Sequence, residues 1–268
     1  MARLTLSEIW IYPIKSFAGI RISKARVKQK GLEFDRRLML VDEANRFITQ
    51  REHPIMARFR LYMEAGKLTV ESLLDDSHAS IAINLEPRAN QPTFKVTIWD
   101  DEVEAMELNP TYSDWFSTQL KMKCRLVCFP ENNVRDVDPA YVENKAQVSL
   151  ADGYPFLIIG QSSLDNLNSK LVNQIEMNRF RPNFVFTGGK PHEEDTWKTF
   201  SIGSNRFRGV KLCARCVLTT VNPQTGIKGH EPLATLATYR KQGSKILFGQ
   251  NLVAINYEEV SEGDEIVL

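Results

Sequence analysis

The sequence predicts a mainly β fold with some helices (α+β), in which an N-terminal β-barrel-like unit precedes a second β-rich unit. Three observations carry that expectation. Short segments of alternating, β-branched character, separated by turn residues, fill the first 110 residues. A polar, aperiodic stretch at 131–147 then interrupts the pattern and reads as a linker or mobile loop. Strand-like segments resume beyond it, broken by only two stretches of helical periodicity.

In chain order, strands are expected at 4–14, 20–27, 37–41, 67–71 and 94–99, and their alternation suits a strongly curved sheet or barrel. A helix is expected from about 111 to 120, capped by Asn109 or Thr111, with Trp115, Phe116 and Leu120 on one face. Past the polar stretch, the apolar run at 155–159 reads as a buried strand. The next segment, 162–172, reads as a helix with Ser162 as cap and Leu164, Leu167 and Leu171 on one stripe. Strands follow at 183–187, 199–202, 205–210 and 217–221. A helix at 231–242 carrying Leu233, Leu236 and Tyr239 precedes closing strands at 252–257 and 265–268.

Composition narrows the class. With 268 residues, 43% hydrophobic and 25% charged, the chain is ordinary globular protein, which excludes disorder, collagen and coiled coil. No apolar run approaches the ~20 residues that a spanning helix requires, and the N-terminus lacks a basic segment followed by an apolar one. A soluble, cytoplasmic protein without membrane association is therefore expected. The net charge of +1 argues against a nucleic-acid polymer as partner. That total hides an asymmetry, because residues 1–60 carry 13 Lys and Arg against 6 Asp and Glu, whereas the remainder carries 21 against 27. A second, acid-free cluster, Arg206, Arg208, Lys211 and Arg215, lies far downstream. If the two basic segments fold together they make an anion pocket; if not, they are solvated surface.

The four cysteines, Cys124, Cys128, Cys213 and Cys216, are too few for a disulfide scaffold, and reduced thiols are expected. The most informative segment, Lys211-Leu-Cys-Ala-Arg-Cys-Val-Leu-Thr-Thr220, sets two thiols three residues apart with Arg215 between them. A guanidinium favours thiolate over thiol, which suits Cys216 to nucleophilic or soft-metal chemistry. Three other readings stay open at this point: a zinc site shared with Cys124 and Cys128, a redox pair, and plain packing of small apolar groups. The β-branched run after Cys216 points to a strand, against the helix that a thioredoxin-type pair requires. Other polar groups accompany this segment. Tyr12-Pro-Ile-Lys-Ser16 presents a cation and a hydroxyl at a strand end, Phe34-Asp-Arg-Arg37 and Gln50-Arg51 add guanidiniums, and Arg179-Phe-Arg-Pro-Asn183 supplies an arginine and an amide suited to forked hydrogen bonds. The sequence contains no Walker loop, GxGxxG or HExxH, and its four histidines lack metal-ligand spacing.

Taken in order, these segments resemble the MOSC family with its N-terminal β-barrel domain, and within it the molybdenum enzymes that include the mitochondrial amidoxime-reducing component and its bacterial single-chain relatives. The resemblance is carried by Tyr12-Pro-Ile-Lys-Ser16, Gly31-Leu-Glu-Phe-Asp-Arg36, Phe47-Ile-Thr-Gln-Arg51, Ala151-Asp-Gly-Tyr-Pro-Phe156 and Phe180-Arg-Pro-Asn183. It continues through Glu194-Asp-Thr-Trp197, Cys213-Ala-Arg-Cys-Val-Leu-Thr-Thr220 with Asn222-Pro-Gln-Thr-Gly226, and Phe248-Gly-Gln-Asn251.

The resemblance implies an N-terminal barrel domain over 1–125, a MOSC β-barrel domain over 126–268, and a pyranopterin molybdenum cofactor held between them. Cys216 falls on the family's metal-bearing cysteine. Lys15 and Ser16 fall on its cofactor-anchoring pair, Arg36 on its barrel arginine, Arg181 and Asn183 on its Arg-Pro-Asn, and Asp152 on the carboxylate close to the metal; Arg51 and Arg215 join them as cofactor contacts. The implied activity is reduction of N-hydroxylated compounds such as hydroxylamines, amidoximes and N-hydroxylated bases, with Cys216 and Asp152 as the catalytic residues and Asp152 delivering a proton or positioning a metal-bound water. Many bacterial relatives carry a ferredoxin domain with C-x4-C-x2-C spacing that this sequence lacks, so electrons are expected from a separate ferredoxin or flavin-containing reductase. Two rival readings are a cofactor carrier or sulfur-transfer protein and a zinc-stabilised binding module.

Overall fold

The computed structural model describes residues 3–64, 66–86, 91–142 and 146–268. Its largest sheet runs, edge to edge, through Ile266–Val267, Thr199–Ile202, Asn205–Ala214, Lys245–Ala254, Phe156–Gly160, Phe184–Thr187, Thr5–Ile11 and Ile20–Ile22. Thr5 bridges back to Glu265, and Leu6 N donates to Asp264 O at 2.9 Å, so the sheet closes on itself as a barrel. Leu6, Ile9, Phe156, Phe184, Phe207 and Leu252 fill its interior. Leu6 and Ile9 are three residues apart, a spacing that regular alternation would send to opposite faces. A bulge between Leu6 and Glu8 resets the alternation and turns both inward.

After Ile11 the chain leaves the barrel and crosses to a second group of strands. Lys15 N donates to Leu38 O at 2.8 Å, joining the crossing segment to a sheet ordered Leu38–Val41, Arg125–Cys128, Asp101–Glu107, Thr93–Ile98. A three-stranded meander, Phe59–Glu64, Lys67–Ser72 and Ser80–Asn84, lies beside the helix Pro110–Leu120. Asn109 caps that helix, its side chain accepting from Thr111 N, and Phe116 seats its buried face edge-on against Phe17, ring centroids 5.5 Å apart.

Several elements differ from the sequence expectation. Residues 217–220 form a 3-10 turn rather than a strand, because Thr219 and Thr220 donate their hydroxyls to the carbonyls of Cys216 and Val217 at 3.0 and 2.8 Å. Local hydroxyl bonding of this kind overrides β propensity. The helix expected at 162–172 spans Gln161–Asn168 with Gly160 in the cap position, and the Ser162 hydroxyl finds no partner among the described residues. The helix expected at 231–242 is Leu233–Tyr239, followed by a short strand Lys241–Gln242. The strand expected at 205–210 extends to Ala214, with register shifts at Gly209/Lys211 and Leu212/Ala214. Its partner occupies Lys245–Ala254 rather than 252–257. Within the polar stretch 131–147, Asp136 bridges Gln147; its residues 143–145 lie outside the described residues.

Candidate functional site

A cavity of about 360 Å³ opens where the crossing segment, the second group of strands and the barrel rim meet. All nine residues singled out from the sequence line it: Lys15, Ser16, Arg36, Arg51, Asp152, Arg181, Asn183, Arg215 and Cys216. Lys15, Arg36 and Arg51 of the first basic segment thus meet Lys211 and Arg215 of the second at one cavity, whereas Arg206 and Arg208 do not line it. Lys211 also lines the cavity, and against six cationic side chains the described lining carries a single carboxylate, Asp152.

At one end, the ring of Tyr12 lies between two guanidiniums, with Arg36 4.3 Å and Arg181 4.2 Å from its centroid. The Tyr12 hydroxyl donates to Pro182 O at 3.1 Å. Any side chain at residue 19 would bring a Cβ to 2.5 Å from this ring, so the approach requires Gly19. Arg36 also donates to Asp35 at 2.8 Å and to the side-chain oxygen of Asn183 at 3.3 Å, while Arg181 donates to Phe17 O at 2.5 Å. Burial, reinforced by the like charge of Arg36, brings the Arg181 guanidinium down to about 10. This end is an excess of positive charge with fixed geometry.

At the other end stands a chain of contacts leading to the thiol. Lys15 Nζ donates to Asp152 Oδ1 at 2.6 Å, Arg51 Nη2 donates to Asp152 Oδ2 at 2.6 Å, and Arg51 Nε donates to Cys216 Sγ at 3.2 Å. Trp99 Nε1 adds a donor to Asp152 Oδ1 at 3.3 Å, and its ring lies 4.7 Å from the Arg51 guanidinium. Asp152 is 53% exposed and lines the cavity. Burial opposes its ionisation, but Lys15 and Arg51 outweigh that cost and hold the carboxyl well below the ordinary carboxylate range. Burial likewise brings Lys15 down to about 8 against the pull of Asp152.

That value gives a testable pH dependence. An exposed lysine keeps its proton to about 10.5, whereas Lys15 in the folded protein releases it near 8. Affinity of the cavity for sulfate, an anion that does not titrate in this range, is expected to fall several-fold between pH 7 and 9 by calorimetry. Lys15→Arg, which stays charged, is expected to flatten that profile; a flat wild-type profile would contradict the assignment.

Arg215 donates to Phe180 O at 2.6 Å and to Cys213 Sγ at 3.0 Å, and its Nε is buried with no partner among the described residues. Cys213 and Cys216 both line the cavity, whereas Cys124 and Cys128 are buried in the core around Phe116. The four thiols therefore do not converge.

Three site residues are not singled out by the sequence reasoning. Trp99 falls there only at the end of a strand segment. Tyr12 falls there only in a strand-end segment, although its ring, packed beside Gly19, is what the two arginines bracket. Arg135 sits in the polar stretch, yet it is 6% exposed and donates to the carbonyls of Ser149, Ala151 and Asp152 as well as to Asp101, fixing the backbone that carries Asp152.

Comparison with known proteins agrees with this layout. The family model described as MOSC N-terminal beta barrel domain matches residues 3–123, and that of the MOSC domain matches 145–267. Mitochondrial amidoxime-reducing component 1 of Mus musculus is 32% identical over 281 residues, covering 98% of this chain and 82% of its own. Mitochondrial amidoxime reducing component 2 of Homo sapiens is 32% identical, covering 88% of this chain and 72% of its own. Molybdenum cofactor sulfurase of Oryza sativa subsp. japonica is 30% identical over 97% of this chain, which spans 33% of that longer protein. No described helix is long and apolar enough to cross a membrane. The chain belongs to the MOSC family, in the arrangement that sets an N-terminal MOSC barrel domain ahead of the MOSC domain.

Proposed function

We propose that this protein is a molybdenum-cofactor-dependent reductase of N-hydroxylated compounds, supplied with electrons by a separate ferredoxin or flavin-containing reductase. The observation that carries the reading is the chain Cys216–Arg51–Asp152–Lys15 at one end of a cavity whose other end presents Arg36 and Arg181 around Tyr12. The donor set fits the cofactor. A soft thiol reaches the cavity, forked and amide donors suit a planar pterin and a phosphate, and the buried Arg215 Nε, without a partner among the described residues, suits an acceptor there. The molybdenum cofactor would supply two-electron redox chemistry for reducing a nitrogen–oxygen bond, with electrons drawn from the external donor.

The protein's own groups have separable tasks. Cys216 would hold the metal through sulfur, with Arg51 Nε donating to it in a contact that a charged sulfur strengthens. Lys15, Ser16, Arg36, Arg181 and Asn183 would hold the phosphate and the pterin. Asp152 stays ionised at neutral pH between Lys15 and Arg51, which suits it to orient substrate or water as an acceptor and not to release a proton. Lys15 Nζ, next to it and titrating near 8, is the better proton source.

Relatives named molybdenum cofactor sulfurase favour one alternative, a cofactor carrier or sulfur-transfer protein without reductase activity. Protein purified anaerobically and assayed for molybdenum and pterin, then given reduced viologen and a hydroxylamine, separates the two. The reductase turns over in proportion to its molybdenum content. Absence of turnover by molybdenum-loaded protein would sink the reductase reading and leave the carrier.

A further inference from the structure

We infer that Lys211, with Tyr141 and Tyr154, forms a subsite for an anionic substituent of the substrate, so that the preferred N-hydroxylated compounds carry a carboxylate or phosphate. This deepens the reductase reading and rests on it.

Lys211 lies on the long strand Asn205–Ala214, immediately after a register shift at Gly209, and lines the cavity. Its ammonium stands 3.6 Å from the centroid of the Tyr141 ring and 5.9 Å from that of Tyr154, the two rings meeting edge to face at 6.4 Å. Among the described residues no carboxylate lies within ion-pair distance of it. Asp138, whose charge reaches Tyr154, makes no ion pair with Lys211. The other cations of the lining are engaged: Lys15 and Arg51 on Asp152, Arg36 on Asp35, Arg181 on Phe17 O, and Arg215 on Phe180 O and Cys213. Lys211 is thus the cation there whose described neighbours are ring faces, which hold an ammonium in place without cancelling its charge.

Position favours the substrate over the cofactor as the source of the anion. Arg36 and Arg181 already provide for an anion at the Tyr12 end. Lys211 shares the cavity lining with Asp152, Tyr154 and Cys216, its ammonium is 5.9 Å from the Tyr154 ring, and Tyr154 follows Asp152 by only two residues. The Tyr154 hydroxyl is buried without a partner among the described residues, and it offers a donor on a ring that the Lys211 ammonium approaches to 5.9 Å.

The test compares molybdenum-loaded wild type, Lys211→Met and Lys211→Arg on benzamidoxime, its 4-carboxylate and its 4-phosphonate. The wild type is expected to prefer the charged compounds by about tenfold in kcat/KM, mainly through KM, as expected for one partly solvated charge pair. Lys211→Met is expected to bring that ratio near one while leaving kcat on benzamidoxime within about twofold, and Lys211→Arg to restore it. The carboxylate and phosphonate arms tell which anion is preferred. Calorimetric binding of benzamidine and 4-carboxybenzamidine to the same proteins reads the preference without turnover. No turnover on any compound would remove the reductase reading, and the binding preference would still decide the subsite. A ratio near one in the wild type, or loss of molybdenum and pterin from Lys211→Met, would overturn the proposal; the latter would assign Lys211 to holding the cofactor.

Discussion

Cys216→Ser is expected to leave a folded protein that no longer retains molybdenum and whose viologen-driven turnover falls at least about 100-fold. The fold should survive because the Cys216 thiol is a half-buried group on the cavity wall, with Arg51 as its hydrogen-bond partner, and Arg51 keeps its bond to Asp152 when the sulfur is lost. A small polar exchange at such a position costs about 1 kcal/mol or less, a shift of a few degrees in the melting midpoint. The loss of function follows from softness, since a serine oxygen at the same place is a harder and more basic ligand than thiolate. Cys213→Ser is the informative contrast. Cys213 accepts from Arg215 at 3.0 Å, a role that a hydroxyl oxygen can take over, so less than about tenfold loss is expected. Equal loss in both variants, read by metal content and turnover together, would mean that the two thiols act as a pair.

The contrast between Cys216 and its surroundings also marks where sequence reasoning stops. Lys15, Arg36, Arg51, Arg181 and Cys216 could be singled out because each sits in a short run of chemistry-bearing residues, Asp152 through the family resemblance alone, and folding brings them all to one cavity. The helix Pro110–Leu120 was legible for a similar reason, its cap and its apolar face being local signals. Arg135 was not legible, because a lone arginine in a polar stretch looks solvated until the carbonyls that it satisfies, 14 or more residues away, are folded around it. Trp99 was hidden by its backbone, since a positive φ of 56° in the turn between two strands aims it at Asp152 where alternation would not. The strand register was hidden in the same way. Bulges at Leu6/Glu8 and Gly209/Lys211 break the two-residue period on which sequence alternation depends. The ionisation of Asp152 was also beyond reach, because the two cations that close on this carboxylate come from positions more than 100 residues away and meet it only in the folded chain.

Glu194→Gln is expected to make the protein more stable at pH 8 by up to about 3 kcal/mol while changing little at pH 4.5. Glu194 is 0% exposed, and burial raises its carboxyl from 4.5 to about 7 even though Gly160 N and the Ser163 hydroxyl both donate to it. Between these two values the folded protein holds the proton that the unfolded chain has released. Stability therefore declines as pH rises from 4.5 through 7 and levels off above, where the ionised group stays buried. Glutamine has the same shape, keeps an acceptor for Gly160 N, and can donate to Ser163 Oγ as the protonated acid does. The whole-protein profile alone would mislead, because burial lowers His192 from 6.5 to about 4 and gives a slope of opposite sign in an overlapping range. The difference between wild type and Glu194→Gln, measured by denaturant unfolding at closely spaced pH values, cancels His192 and isolates the carboxylate. Parallel profiles across pH 4.5 to 8 would mean that Glu194 does not titrate there.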